Sequence, residues 1–429
     1  MKPTHYPMLD ETVYRRTLSN GLQVAVVKRP GFSKRLAYFV TDFGSIHTEF
    51  EFEGKRHQVP AGIAHYLEHK MFDMPDGRDV SAEFAGLGAM TNAFTSFDIT
   101  AYYFSCTENF ESCLRLLLEF VSTPYFTEES VIKEQGIIDQ EIGMNQDSPD
   151  SRVFEELMLN AYYAHPIRVP ILGTRETIRQ INPENLLLCH RAFYTPGNMM
   201  LCVVGDVDPE QVAAMAEEVL GTEPREVAKK ICGWSEPLAA VNQSTVRQME
   251  VAMPMFNLCF KAQPTELGEA GVRREMVADL AAEALFGESS ALYLKLYEEG
   301  IIDSSFGGGF ETIDGCALLM CSGDSEEPEV IRQAILDQAK VLAREGVKTE
   351  DFLRMKRSAL GRRIRDLDSF DATCYRTCAC QLTGFDYFRF PGVYAGIQAE
   401  EIREFLEEVV REENCCLSVI EPIDREEEV

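Results

Sequence analysis

No apolar run in this 429-residue chain approaches the roughly 18 residues needed to cross a bilayer. The opening residues, MKPTHYPMLDETVYRRTL, lack the apolar stretch of a secretory signal. These two absences make a cytoplasmic protein, not bound to membrane, the expectation. Positive charge is scarce: 41 Lys and Arg stand against 70 Asp and Glu, a formal net charge of −29. Such a surface repels nucleic acid and anionic lipid, so neither is expected as a partner. Its simplest role is solubility. No Cys pair has the CxxC spacing of a zinc ribbon, although 13 Cys are present. They sit in apolar stretches such as Leu201-Cys202-Val203 and Asn414-Cys415-Cys416-Leu417, and buried reduced thiols are expected. The Gly307–Gly309 run is not followed by GK[ST], so no nucleotide loop is assigned. Finally, no His occurs after position 190; all seven lie in the first half.

What is present describes a soluble globular chain with 45% hydrophobic residues, long enough for two domains. The chain repeats itself at long range. INPENLL to NMMLCVVGDVD, at 181–208, matches IQAEEIR to NCCLSVIEPID, at 397–424, so Asn198 falls on Asn414 and Asp208 on Asp424. TEESVIKEQGIIDQEI from Thr127 likewise matches TEDFLRMKRSALGRRI from Thr349. Both open with a Thr cap and two acids, which suit a helix N-terminus. A repeat of half the chain means a duplicated domain, not a solenoid. The boundary falls in the Pro- and Gly-containing stretch 221–245. The expected division is 1–225, a linker at 226–245, and 246–429. Period and composition predict strands at 22–28, 36–42, 99–105, 247–253, 257–262, 304–312 and 316–321. Helices are predicted at 61–73, 108–121, 128–146, 208–220, 272–286, 329–344 and 350–367. The fold class is therefore α+β: two homologous domains, each a mainly antiparallel sheet packed with helices.

Residues 60–72 read Pro-Ala-Gly-Ile-Ala-His-Tyr-Leu-Glu-His-Lys-Met-Phe. On a helix, His65 and His69 at i and i+4 project from one face, with Glu68 beside them. Two imidazoles so placed can share a zinc, and Glu68 can take a proton from water there. This HxxEH order inverts the commoner HExxH. By residue frequencies it arises by chance in roughly one such chain in a hundred. Two ordinary helix histidines would read the same way. A third ligand is required, and an acid of the helix 128–146 is the better candidate. Glu134 and Glu141 lie two turns apart on one face of it, and spacing does not exclude Asp139. In the second copy Glu134 falls on Lys356 and Glu141 on Arg363. With no His either, that copy cannot repeat the site and reads as its degenerate, structural counterpart.

HYLEH, the acidic helix ending QEIGM and the duplication together resemble the pitrilysin, insulinase and mitochondrial processing peptidase family, the inverzincins. GSIHTEF, NAFTSFDITAYYFS at 92–105 and HPIRVPILGT at 165–174 agree with that resemblance, which covers nearly the whole chain. It implies a zinc endopeptidase with one zinc per chain, held by His65, His69 and Glu141, with Glu68 as general base. Glu134 corresponds to a second acid that supports the site. The stretch Ala89–Thr95 resembles an edge strand that pairs with substrate backbone, which gives Asn92, Ala93 and Phe94 as substrate-binding residues. The chain departs from the family pattern at Tyr297 and Ser304, where active members carry an Arg and a Tyr that polarise the substrate carbonyl. The resemblance therefore implies a partner: a homologous, motif-less subunit completing a chamber that cuts peptides or leader peptides, or else a second copy. Two rival readings are a non-catalytic assembly or peptide-binding homologue and a purely structural zinc site.

Overall fold

The computed structural model describes residues 1–232 and 236–423. Asp424, the expected counterpart of Asp208, and residues 233–235 of the expected linker lie outside the described residues. The chain opens with β1 (Lys2–Tyr6), β2 (Glu11–Thr17), β3 (Gln23–Lys28) and β4 (Arg35–Thr41). A hairpin, β5 (Glu49–Phe52) and β6 (Lys55–Gln58), leads to α1 (Ile63–Lys70) and α2 (Val80–Gly86). Next come β7 (Met90–Thr95), β8 (Thr100–Cys106), α3 (Phe110–Ser122), α4 (Glu128–Asp147) and α5 (Pro149–Ala161). The repeat closes with α6 (Arg175–Ile178), α7 (Pro183–Phe193), β9 (Met199–Gly205) and α8 (Pro209–Leu220). A two-residue strand, β10 (Lys229–Lys230), pairs with β5. The second half runs β11 (Ser244–Met249), β12 (Met255–Ala262), α9 (Glu269–Phe286), α10 (Ala291–Glu298), β13 (Gly307–Ile313) and β14 (Cys316–Asp324). It ends with α11 (Pro328–Glu345), α12 (Thr349–Arg365), α13 (Phe370–Leu382), α14 (Phe390–Gly396), α15 (Ala399–Val409) and β15 (Cys415–Pro422).

Five strands of each large sheet share one topology. The first sheet is ordered β1-β2-β3-β9-β4-β8-β7 and the second β11-β15-β12-β14-β13. In each, a parallel pair (β3 with β9, β11 with β15) is followed by antiparallel pairs. The repeat also conserves a device within each copy. Asn198 donates to the Phe193 carbonyl at 3.0 Å and Asn414 to the Val409 carbonyl at 3.3 Å. Each buried Asn thus satisfies a carbonyl at the end of the helix before its strand, a group that helix termini leave without a partner.

The compact units do not follow the contiguous division expected from the repeat. One consists of Met1–Ile142, Val169–Cys232 and Arg363–Phe390; the other of Gly143–Arg168, Gly233–Arg362 and Pro391–Val429. The reason lies in two equivalent helices. In the first unit, α13 packs on β9 and β4, with Cys374 against Cys202. In the second, α5 packs on β15, β12 and β11, burying Val153, Leu157 and Met158. Each sheet therefore has one face covered by a helix from the other repeat. The opposite face of the first sheet meets α1, α3, α7 and α8 in a core built around Phe39, Phe43, Phe50, Tyr66, Phe104 and Phe120. The cysteines form no disulfides, and most are buried. No helix among the described residues is long and apolar enough to cross a membrane.

Candidate metal centre

Helix α1 begins at a glycine because its entry demands one. Gly62 caps it at φ 89°, and a Cβ there would lie 2.5 Å from the Leu172 carbonyl oxygen. That φ is left-handed, which costs a side-chain-bearing residue free energy. From this start Ile63, Ala64, Tyr66 and Leu67 are buried in the core. Tyr66 also donates its hydroxyl to the Val131 carbonyl on α4, fixing one helix against the other.

The carboxylates of α4 then meet the histidines of α1. His65 Nε2 lies 3.6 Å from Glu141 Oε1, and His69 Nε2 lies 3.7 Å from Glu141 Oε2. One ligand atom from each of these three residues lies within 4.8 Å of the others. Ligands about 2.0–2.1 Å from a tetrahedral zinc are roughly 3.4 Å apart, so the spacing fits. Glu141 Oε2 is buried without a hydrogen-bond partner. A buried, unsatisfied carboxylate oxygen is costly, which a cation would relieve. The donor set of two imidazoles and a carboxylate suits zinc and leaves a position open.

The other acids have different partners. Glu134 Oε1 is 3.0 Å from His69 Nδ1, so it holds the far side of that ring. Such a carboxylate fixes the tautomer and raises the basicity of the facing nitrogen. His65 Nδ1 has no such acceptor and is buried without a partner. Asp139, which spacing left open, pairs instead with Arg175 at 3.0 Å. In the second copy Lys356, standing at the place of Glu134, donates to the carbonyls of Ala395 and Ile397 at 3.0 and 2.8 Å. Glu68 accepts a 2.9 Å hydrogen bond from Thr95, the last residue of β7.

Burial pushes His65 down to about 3, and a charge on His69 would act the same way. Burial also pulls on His69, but the Glu134 hydrogen bond and the charges of Glu68, Glu134 and Glu141 outweigh it and raise that ring. Glu134 is lowered: burial opposes this, and the His69 bond prevails. Burial raises the Glu68 carboxyl against the Thr95 bond. A buried His65 that stays neutral and a Glu68 poised above the usual carboxylate range suit a ligand and a base.

Asn92, Ala93 and Phe94 lie on β7, the outermost strand of the first sheet, paired only with β8 among the described residues. The Asn92 side chain accepts from the Ala93 N–H at 2.9 Å. The Phe94 ring lies 6.1 Å from Tyr375 of α13, on the face opposite Thr95. Of the stretch expected to meet substrate, then, Thr95 reaches the acid cluster, and Phe94 points away from it. Tyr297 lies on α10, half exposed and stacked on Tyr293 at 5.8 Å; Ser304 follows beyond that helix.

Two residues escaped the sequence reading. Lys70 is almost fully buried, pairs with Asp73 and lies 4.0 Å from Glu134 Oε2. Its signal was a lone Lys between His69 and the apolar Met71-Phe72. Thr95 could have been found from strand alternation, which puts it on the α1 side of β7.

The profile of the family described as Insulinase (Peptidase family M16) matches residues 53–175, and that of the Peptidase M16 inactive domain matches 180–359. A Bacillus subtilis protein named uncharacterized zinc protease YmfH is 36% identical, over 98% of this chain and 99% of its own. The beta subunit of the Caenorhabditis elegans mitochondrial-processing peptidase is 29% identical over 48% of this chain and 44% of its own. Among solved structures, a chain from Alicyclobacillus acidocaldarius described as an M16-like peptidase superposes with TM-score 0.92. It is 32% identical and covers 96% of this chain and 98% of its own.

Proposed function

Because the chain belongs to the M16 peptidase family, we propose that it is a zinc-dependent endopeptidase with His65, His69 and Glu141 as ligands and Glu68 as base. The observation that carries this reading is the convergence of both Nε2 atoms on the Glu141 carboxylate, whose Oε2 is buried and unsatisfied. Zinc bound there would polarise the scissile carbonyl and lower the pKa of a water in the site. Glu68 takes a proton from the attacking water and returns it to the leaving amine. Thr95 holds the Glu68 carboxylate in place, and Glu134 holds the His69 ring. The free edge of β7 aligns the peptide by main-chain hydrogen bonds, a mode that would admit many sequences. Asn92, Ala93 and Phe94 are the residues that meet it.

The reading includes a homologous, motif-less partner that supplies the carbonyl-polarising pair missing at Tyr297 and Ser304, and a cytoplasmic site of action. The test is metal content beside peptide hydrolysis for Glu68→Gln. Zinc is expected to stay near one per chain while the rate falls at least about a hundredfold. Undiminished hydrolysis by the metallated variant would overturn the mechanism. Loss of zinc from this variant would favour a structural site.

A further inference from the structure

Among the described residues, one corner of the second sheet is left uncovered. In the first sheet β3 has β2 on its outer side, and α8, which follows β9, packs over β3 and α3. In the second sheet β11 takes the place of β3, but no described strand lies outside it. The Gln243 and Met249 carbonyls accept from the N–H groups of Leu417 and Ile423. Alternation then turns the main chain of Ser244, Val246 and Gln248 to the open side, and all three residues are exposed. Beside this edge is a groove of about 550 Å³ with Val246, Leu417 and Val419 on its floor. Glu326, Glu327, Glu329 and Glu421 line it, and among the described residues no Lys or Arg does. Of these acids Glu329 pairs with Arg332, at 2.7 Å.

We propose that β11 and its groove dock an extended, basic segment of a partner protein, added antiparallel to β11 as β2 is added to β3. The outward N–H and C=O groups of β11 supply main-chain bonds, as in other strand additions. Val246, Leu417, Val419 and Glu421 share one face of the sheet, so every second side chain of the added strand turns to the groove and the others to the opposite face. Lys or Arg at the groove-facing set would lay their apolar stems over Val246, Leu417 and Val419 with their charges against the acids. The strand at the equivalent place in the first sheet, β2, itself carries Arg15 and Arg16. A second copy is a poor occupant: each copy carries net charge −29, and its own β2 is already paired on both sides. The proposal does not rest on the metal centre.

The probe is a fluorescein-labelled decapeptide of alternating Lys and Val, followed by fluorescence anisotropy. Glu68→Gln serves as the parent, so that the probe is not consumed. Saturable binding is expected, weakened by salt as exposed charges are screened. Val246→Pro removes one outward N–H without touching the pairing to β15, and should lower affinity at least tenfold. Charge reversal at Glu326, Glu327 and Glu421 to Lys should do the same by a different route, and a Glu–Val decapeptide should not bind. Thermal melting checks that each variant is folded. No saturation at millimolar probe, parent-like affinity in both variants, or equal binding of the Glu–Val peptide overturns the proposal. Self-association that Val246→Pro abolishes would give the edge to a second copy and overturn it too.

Discussion

The division of labour between Glu134 and Glu141 is decided by which imidazole nitrogen each meets. Glu141 faces the two Nε2 atoms, and Glu134 faces His69 Nδ1. Glu141→Gln should therefore lower zinc affinity the more severely. Glu134→Gln should cost the 10- to 100-fold range, roughly, seen when a carboxylate behind a ligand is lost. Zinc titration against a chelator distinguishes them, and the reverse order would mean that the ligand assignment is wrong. Thr95 acts differently, since its contact is with Glu68, the proposed base. Thr95→Val should keep zinc and lower kcat by about tenfold or more, the worth of a hydrogen bond to a charged group, while Thr95→Ser restores it. An unchanged kcat would leave Thr95 as a strand residue only. At this scale HxxEH was legible because both histidines come from one helix with known period. The choice among Glu134, Asp139 and Glu141 was not, because helical spacing gives the face of α4 and not its rotation against α1. That rotation is fixed by the Tyr66 hydroxyl on Val131, a contact between residues 65 apart in the chain.

The elements that carry the site are short and depend on their joints. Helix α1 has only eight residues, too few to be stable alone. Its position comes from Gly62 and from packing. Gly62→Ala must relieve both the left-handed φ and the contact with the Leu172 carbonyl, and should cost about 1–3 kcal/mol. The denaturant midpoint and the zinc content should fall together. A stable variant with intact zinc would show that the entry can be rebuilt. The α3–α7 joint predicts a pH dependence. His190 Nε2 is 3.1 Å from the Val121 carbonyl, and burial depresses its pKa from 6.5 to about 4. Between those values the unfolded chain holds the extra proton, so stability falls as the pH drops from 6.5 towards 4. The loss is at most about 3 kcal/mol from this group. His190→Gln should flatten that part of the profile in pH-dependent denaturant unfolding. What was predicted was sound: the predicted strands and helices each fall on an observed one, with ends shifted by a few residues. The missed ones, such as β1, α2 and α13, are short, exposed or lacking a clear apolar period, so only tertiary packing identifies them.

For the molecule as a whole, the duplication and the α+β class were readable from two spaced matches, and five strands of each large sheet repeat the same order. The exchange of α5 and α13 between units was not readable, because the sequence shows that a helix is amphipathic and not which sheet it covers. The proposed partner is a prediction at this scale. The chain alone is expected to be a weak peptidase, and a motif-less homologue should raise hydrolysis of a quenched peptide at least about a hundredfold. Substituting the partner's Arg or Tyr should abolish the gain. Full activity of the single chain, with its oligomeric state measured by light scattering, would show that Tyr297 and Ser304 leave nothing missing.

The discontinuity of the first unit bears on how the chain is made. Its sheet is complete once β9 at Met199–Gly205 has been synthesised, yet the helix that covers one face of it spans Phe370–Leu382. Bacterial and eukaryotic ribosomes add roughly 5–20 residues per second. The nascent sheet, with Tyr38 and Cys202 on the face awaiting α13, therefore stays open for something like 10–30 seconds. During that interval it is an aggregation hazard that a chaperone would be well placed to shield. Slowed translation between positions 232 and 363 should lower the soluble yield more than slowing elsewhere, and a chain truncated before Arg363 should stay chaperone-bound.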